Sequence, residues 1–276
     1  MKKLILLLFT CTSFVFVNAQ DRQFVRTYQS TTLAKGSRDF EAWATWHTGR
    51  NYFYNQLDTR LEFETGLCKH LQTALYFNAT HSAFGASIDT LGGIRDTSSN
   101  AIFHSSEFSV SSEWKYKITP DASPFGVALY AEFGFAPGKF ELENKIIFDY
   151  RTEKNVFALN LVNETEWVTE LQHGGEKETK VKEHEPQIDL AYMHLFKPHF
   201  GIGMEMVNSN EIEDGSWNFS ALYGGPSLFY SGNGYFFILN TLPQWTNLHK
   251  TDDAPNNLVL NAREKLEVRL LCGFSL

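Results

Sequence analysis

At 276 residues the chain is long enough for one large domain, and its formal net charge of -8 excludes the basic patch that nucleic-acid binding requires. Three cysteines exclude a small secreted fold stapled by disulfides. Aromatic residues make up 15% of the chain while the mean hydropathy is only -0.28, a combination that fits strands with one apolar and one polar face.

Lys2 and Lys3, an apolar run over 4–17 and the small residue Ala19 read as an export signal over residues 1–19. The run is shorter than the roughly 18 apolar residues of a membrane helix, and Thr10, Thr12 and Ser13 interrupt it. Cys11 leaves with the signal, so Cys68 and Cys272 remain. Residues 20–37 are polar and mixed, and are expected to form a short periplasmic lead to a barrel over 38–276.

Residues 38–47 alternate with a tryptophan in each set, Trp43 and Trp46, which leaves their phase open. Residues 57–67 are the clearest segment: Leu57, Leu61, Phe63 and Leu67 share one face while Asp58, Arg60, Glu62 and Glu64 share the other. A helical period would scatter those charges around the axis. Further strands are expected over 71–80, 103–118, 127–135, 140–151, 156–167, 187–196, 200–207, 217–230 and 235–247. Within 217–230, Gly224-Gly225-Pro226 implies a bulge or an unpaired position, because proline has no amide hydrogen. The chain ends on residues 266–276, where Leu266, Val268, Leu270, Cys272, Phe274 and Leu276 alternate with Glu267, Arg269, Gly273 and Ser275. The even strand count predicts an all-β, transmembrane antiparallel up-and-down β-barrel of about 12 strands. Closure then pairs every backbone donor and acceptor away from lipid.

The connections sort by length. With a periplasmic N-terminus, the periplasmic links are 68–70, 119–125, 152–154, 197–199 and 231–234, all short. The opposite links, near 48–56, 81–102, 169–186, 208–216 and 248–262, are expected to be long outer loops, with only 137–139 brief. Residues 170–185, charged and carrying Gly174-Gly175, are expected as a solvated surface loop. The closing strand should pair with both 235–247 and 38–47, turning its even-numbered residues to lipid and Glu267 and Arg269 to the lumen.

The same parity directs Asp58, Arg60, Glu62, Glu64, Glu107, Glu113, Lys115, Glu132, Glu141, Glu143, Lys145, Asp149, Arg151, Glu164, Glu166, Asp189, Glu205, Glu267 and Arg269 into the lumen. Glu41 and Lys117 join them. Acids outnumber bases, which points to a cation-favouring path for small solutes, with an interior filled by ion pairs and water as the alternative. His104 and Ser106 lie two apart on one strand and project outward near the outer interface. A serine nucleophile needs an adjacent base and an orienting partner, and the sequence supplies no evident third member. His173 and His184 lack the tight spacing of a metal site, and no phosphate loop or dinucleotide fingerprint is present. No metal or cofactor is expected.

The terminal stretch Leu266 to Leu276 resembles the closing strand of Gram-negative outer-membrane β-barrel proteins, which the outer-membrane assembly machinery reads; here the aromatic is Phe274 and the last residue Leu276. Together with the signal ending at Ala19-Gln20 and the aromatic strands, the chain is similar to uncharacterised outer-membrane barrel proteins of Bacteroidota-type bacteria, for which passage of solutes, as a porin or transporter, is the default role. The resemblance implies residence in the outer membrane, contact with its lipid, and periplasmic termini. His104-Ser105-Ser106 resembles the histidine and serine of outer-membrane phospholipase A, itself a twelve-stranded barrel. Three readings follow: a narrow channel or transporter with an acidic lumen, a lipid-acting hydrolase using His104 and Ser106, and a non-conducting structural or adhesive barrel.

Overall fold

The computed structural model describes residues 22–85, 101–171, 177–249 and 257–276. The expected signal, His173, and parts of the expected loops 81–102, 169–186 and 248–262 lie outside the described residues. Twelve strands follow one another: β1 (Arg38–Thr48), β2 (Tyr54–Cys68), β3 (Leu71–Gly85), β4 (Ile102–Lys117), β5 (Phe125–Ala136) and β6 (Lys139–Arg151), then β7 (Asn155–Leu171), β8 (Lys177–Lys197), β9 (Phe200–Glu213), β10 (Ser216–Gly232), β11 (Tyr235–Asn247) and β12 (Leu266–Ser275). Each pairs antiparallel with its neighbour in the chain, and β12 closes the barrel on β1.

The closing register sets Phe274 opposite Phe40 and Tyr235, and Glu267 opposite His47 and Leu242. Leu270 and Phe274 are exposed and Glu267 is buried, so the phase expected for this strand holds. Leu271, which breaks the alternation in the sequence, points inward and is fully buried. The two tryptophans of β1 separate: Trp43 points inward and Trp46 outward. Leu57, Leu61, Phe63, Phe77, Trp114, Leu129, Ile146 and Leu190 form part of an exposed apolar belt around the wall. A water-soluble domain does not carry such a belt, whereas lipid requires one.

Two expectations about the outer connections are corrected. Residues 208–216 are not a loop, because β9 and β10 run on to a tight turn at Asp214 and Gly215, both with positive φ (49° and 76°). Likewise β7 and β8 extend to Leu171 and from Lys177 into the charged stretch expected as a surface loop, pairing as far as Leu171 with Lys177. Above the apolar belt both faces of a hairpin are wet, so the alternation that marks a strand in the sequence disappears while the backbone pairing continues.

The expected irregularity at Gly224-Gly225-Pro226 is present. The β10 to β11 ladder breaks between the Tyr223–Gln244 and Ser227–Asn240 pairs, where Pro226 and Pro243 both lack an amide hydrogen. The remaining correction is the largest: residues 22–33 are not a lead outside the barrel but a segment folded up inside it. A barrel of this width has more interior than strand side chains fill. Phe24, Val25, Tyr28 and Leu33 supply the missing volume and are all buried.

Candidate functional site: a plugged lumen

The N-terminal segment enters from the end carrying the short links. Gly36 donates its amide to the Gly66 carbonyl at 2.8 Å, and the Gly66 amide donates to Ser37 at 3.0 Å. A Cβ at Gly66 would lie 2.2 Å from the Ala34 carbonyl oxygen, so glycine there is what lets the plug backbone pass against β2. Further in, Leu33 donates its amide to Gln72 Oε1 at 2.9 Å and Ser30 donates to Asp149 Oδ2 at 2.5 Å. Asn160 grips Tyr28 twice, accepting from its amide at 2.6 Å and donating to its carbonyl at 2.9 Å.

The tip of the plug is held by one carboxylate. Glu205 on β9 accepts the amides of Val25, Arg26 and Thr27 at 3.1, 2.8 and 2.9 Å. Three successive amides converging on one anion form a backbone nest, and Glu205 itself is fully buried. Past the tip the chain turns back, and Arg22 donates to Glu41 at 2.9 Å while stacking on Tyr28 and Trp43 at 4.6 and 4.8 Å. Gln23 and Gln29 bind one another, closing the segment on itself. All of these are polar contacts made to a segment that crosses no strand ladder, so the plug is attached to a barrel that closes without it.

The opposite end is narrowed by residues 257–265, between β11 and β12. Val259 is buried against Phe219, Tyr223 and Leu242. Gln244 accepts the Val259 amide at 2.6 Å, and Tyr223 donates to the Glu264 carbonyl at 3.0 Å. His47 bridges Glu264 and Asp58, its two ring nitrogens each 2.8 Å from a carboxylate oxygen. Arg26 at the plug tip pairs with Glu267.

Between these two ends lies a cavity of about 360 Å³. Its charged lining is Asp58, Glu107, Glu132, Glu141, Glu143, Glu164 and Asp189 against Arg26, Arg60, Lys139, Lys145 and Arg269, seven carboxylates to five cations. The signs are not mixed evenly. Glu143 and Glu164 face one another across β6 and β7, with Glu141 opposite Glu166 on the next inward rung. On the strands across the barrel, Arg60 of β2 and Arg269 of β12 stack on Trp43 at 5.1 and 5.2 Å. Lys139 pairs with Glu141 and Glu166, and Lys145 with Glu143, so a small solute in the cavity would sit between a partly ion-paired acidic wall and a cluster of guanidinium groups.

Of the other charges directed inward by parity, Glu62, Glu64, Glu113, Lys115, Asp149, Glu166, Glu205 and Glu267 are buried in the wall or against the plug. Arg151 pairs with Asp149 at 3.0 Å near the short-link end. Sequence parity did not single out Arg26, Tyr28, Trp43, Lys139, Asn78 and Gln187, which also line the cavity. The uncharged members carry no sign to count, and Arg26 and Tyr28 lie in a segment with no period.

On the outer face, Ser106 does not bond His104. Its Oγ lies 2.9 Å from Nδ1 of His81 on the adjacent β3, and the His104 ring stacks on His81 with 5.7 Å between centroids. The partner histidine escaped sequence reasoning because only the β3 to β4 register brings His81 opposite Ser106.

Solved structures similar to this one are membrane barrels. An outer membrane channel from Pseudomonas putida F1 superposes with a TM-score of 0.63 at 9% identity, covering 92% of this chain and 100% of that one. The NanC porin gives 0.54 at 12% identity, covering 86% of this chain and 100% of that chain. The beta domain of the Bordetella autotransporter BrkA gives 0.54 at 8%, covering 88% and 100%. At such identities the likeness is one of fold. No curated protein matches the sequence. A family model spans residues 16–276, and the chain belongs to that family, DUF6662, a family of unknown function.

Proposed function

We propose that the protein is an outer-membrane channel for small polar solutes whose resting state is narrowed by its own N-terminal plug. The observation that carries this reading is the cavity walled by opposed charge and closed from below by a segment that joins no strand ladder and is held by polar contacts and by the burial of Phe24, Val25 and Tyr28. The acid excess of the lining favours cations, and the guanidinium cluster across from it suits a solute that also carries an anionic group. Two of the similar folds bear the names of a channel and a porin, which supports the same role here. Both termini face the periplasm, and β12 is the strand the assembly machinery recognises.

Planar-bilayer recording tests it. The full chain is expected to conduct little, and deletion of residues 22–33 to raise conductance several-fold with a preference for cations. Deletion without any gain in conductance would leave a structural barrel. A second reading rests on the His81 to Ser106 contact, with Ser106 as nucleophile and His81 as its base toward membrane ester lipids. Lipid hydrolysis that disappears in Ser106→Ala is what it requires.

A further inference from the structure

Four glutamates meet on the inner wall where β1, β2 and β4 flank the plug. Glu41 lies directly across from Glu62, and carboxylate oxygens of Glu62, Glu64 and Glu113 lie within 4.8 Å of one another. All are buried, none more than 2% exposed. Glu113 accepts from the Tyr76 hydroxyl, and Gln72 Nε2 donates to Glu64 at 2.9 Å and to Glu113 at 3.4 Å. Glu41 has Arg22. Glu62 has no donor on either oxygen among the described residues, and Oε2 of Glu64 has none.

A buried carboxylate without a donor is one of the costliest groups a fold can carry, and here it faces like charge. Of the cations near the group, Arg22 is engaged with Glu41, and Lys115 stands opposite Gln72 on the inner face. Set against four carboxylates, these leave two negative charges in excess. The ligand atoms on offer are carboxylate oxygens, the donors a hard cation takes, with the Tyr76 hydroxyl and the Gln72 amide nitrogen holding Glu64 and Glu113 from behind. Glu62 and Glu64 share one face of β2 two residues apart, but Glu113 joins them only through the β2 to β3 and β3 to β4 registers.

We infer that Glu62, Glu64 and Glu113 bind a divalent cation of the calcium class, with Glu62 as the ligand that accepts from no N–H group or hydroxyl of another side chain among the described residues. The cation also sets the plug. Gln72, bound to both Glu64 and Glu113, accepts the Leu33 amide, so the metal-ligand cluster and the plug share one side chain.

The test uses the full chain, refolded from urea into detergent in the presence of terbium, whose luminescence is excited through nearby Trp43. Trp43 donates its indole N–H to Glu41 at 3.1 Å and so lies beside the cluster. The expected result is one saturable terbium per chain, displaced by calcium, with a higher unfolding temperature when calcium is bound. Glu62→Gln and, separately, Glu113→Gln should weaken binding at least about tenfold, since even partners behind the ligands cost that much. Asp121→Asn, an exposed carboxylate in the turn after β4 and outside both cavity and cluster, should bind as the parent does. Unsaturable terbium, or equal binding by Glu62→Gln, overturns the inference. So does an unfolding temperature raised by Glu62→Gln with no response to calcium in the parent, because that result assigns shared protons to the cluster.

Discussion

The outer belt and the lumen are built by the same strands from alternate residues, yet they obey different rules. On the outside, Leu61, Phe63, Phe77 and Trp114 stand exposed and need only be apolar, since lipid accepts any such surface. On the inside, each polar group must find a particular partner, and those partners come from distant strands, from the plug or from the segment before β12: Glu205 with residues 25–27, Asn160 with Tyr28, His47 with Glu264. The belt is therefore a composition, tolerant of exchange among apolar residues. The lumen is an arrangement, in which one substitution strands several groups.

The sharpest break in this contrast is charge placed on the belt. Leu61→Lys, in the middle of β2, is expected to cost about 2–4 kcal/mol of barrel stability in lipid, measured by urea unfolding. Leu61→Ile should be close to neutral. Inside the barrel the reverse holds, and damage should stay local. Glu205→Ala removes the acceptor of three amides and should destabilise the seated plug by about 1.5–3 kcal/mol. It should open residues 22–33 to protease and raise conductance while leaving urea unfolding of the barrel unchanged. Loss of barrel and plug together would mean that the plug is part of the core.

Gly66→Val tests the passage rather than the anchor. The added Cβ meets the Ala34 carbonyl, and overpacking of about 1–3 kcal/mol should displace the plug base, read as faster hydrogen exchange at Leu33 and Gly36. The smallest effect belongs to the turn after β4, outside both regions. Lys117 donates to Asp121 at 2.8 Å and holds its carboxyl below the ordinary aspartate range. A depressed carboxyl contributes stability above its unfolded value, near pH 3.9, and loses it as the pH falls through the folded value. Asp121 is exposed although Lys117 is buried, so Asp121→Asn should change stability at pH 7 by at most about 1 kcal/mol and flatten the acid limb of a thermal-stability profile.

The difference between the regions also explains what was legible. Strands with one oily face were read almost to the residue, as with β11 over Tyr235–Asn247 and the phase of β12. The upper reaches of β7, β8 and β9 read as loops in the sequence, because a strand wet on both faces has no period to detect. The inward direction of Glu62, Glu113 or Asp189 follows from parity, but their partners do not, since parity is silent on which strands lie opposite. Ser106 was visible as an outward serine; its contact with His81 was not.

By itself the sequence determined that the chain is a closed twelve-stranded barrel with an apolar outside and a charged inside, because a period of two along each strand is local information. The tertiary structure alone decided that the lumen is plugged. Residues 22–33 carry no period and no propensity that distinguishes a tail in water from a segment in the barrel. Their place is settled by Glu205, Asn160, Asp149, Gln72 and Glu41, which become neighbours only once β1 and β12 have met.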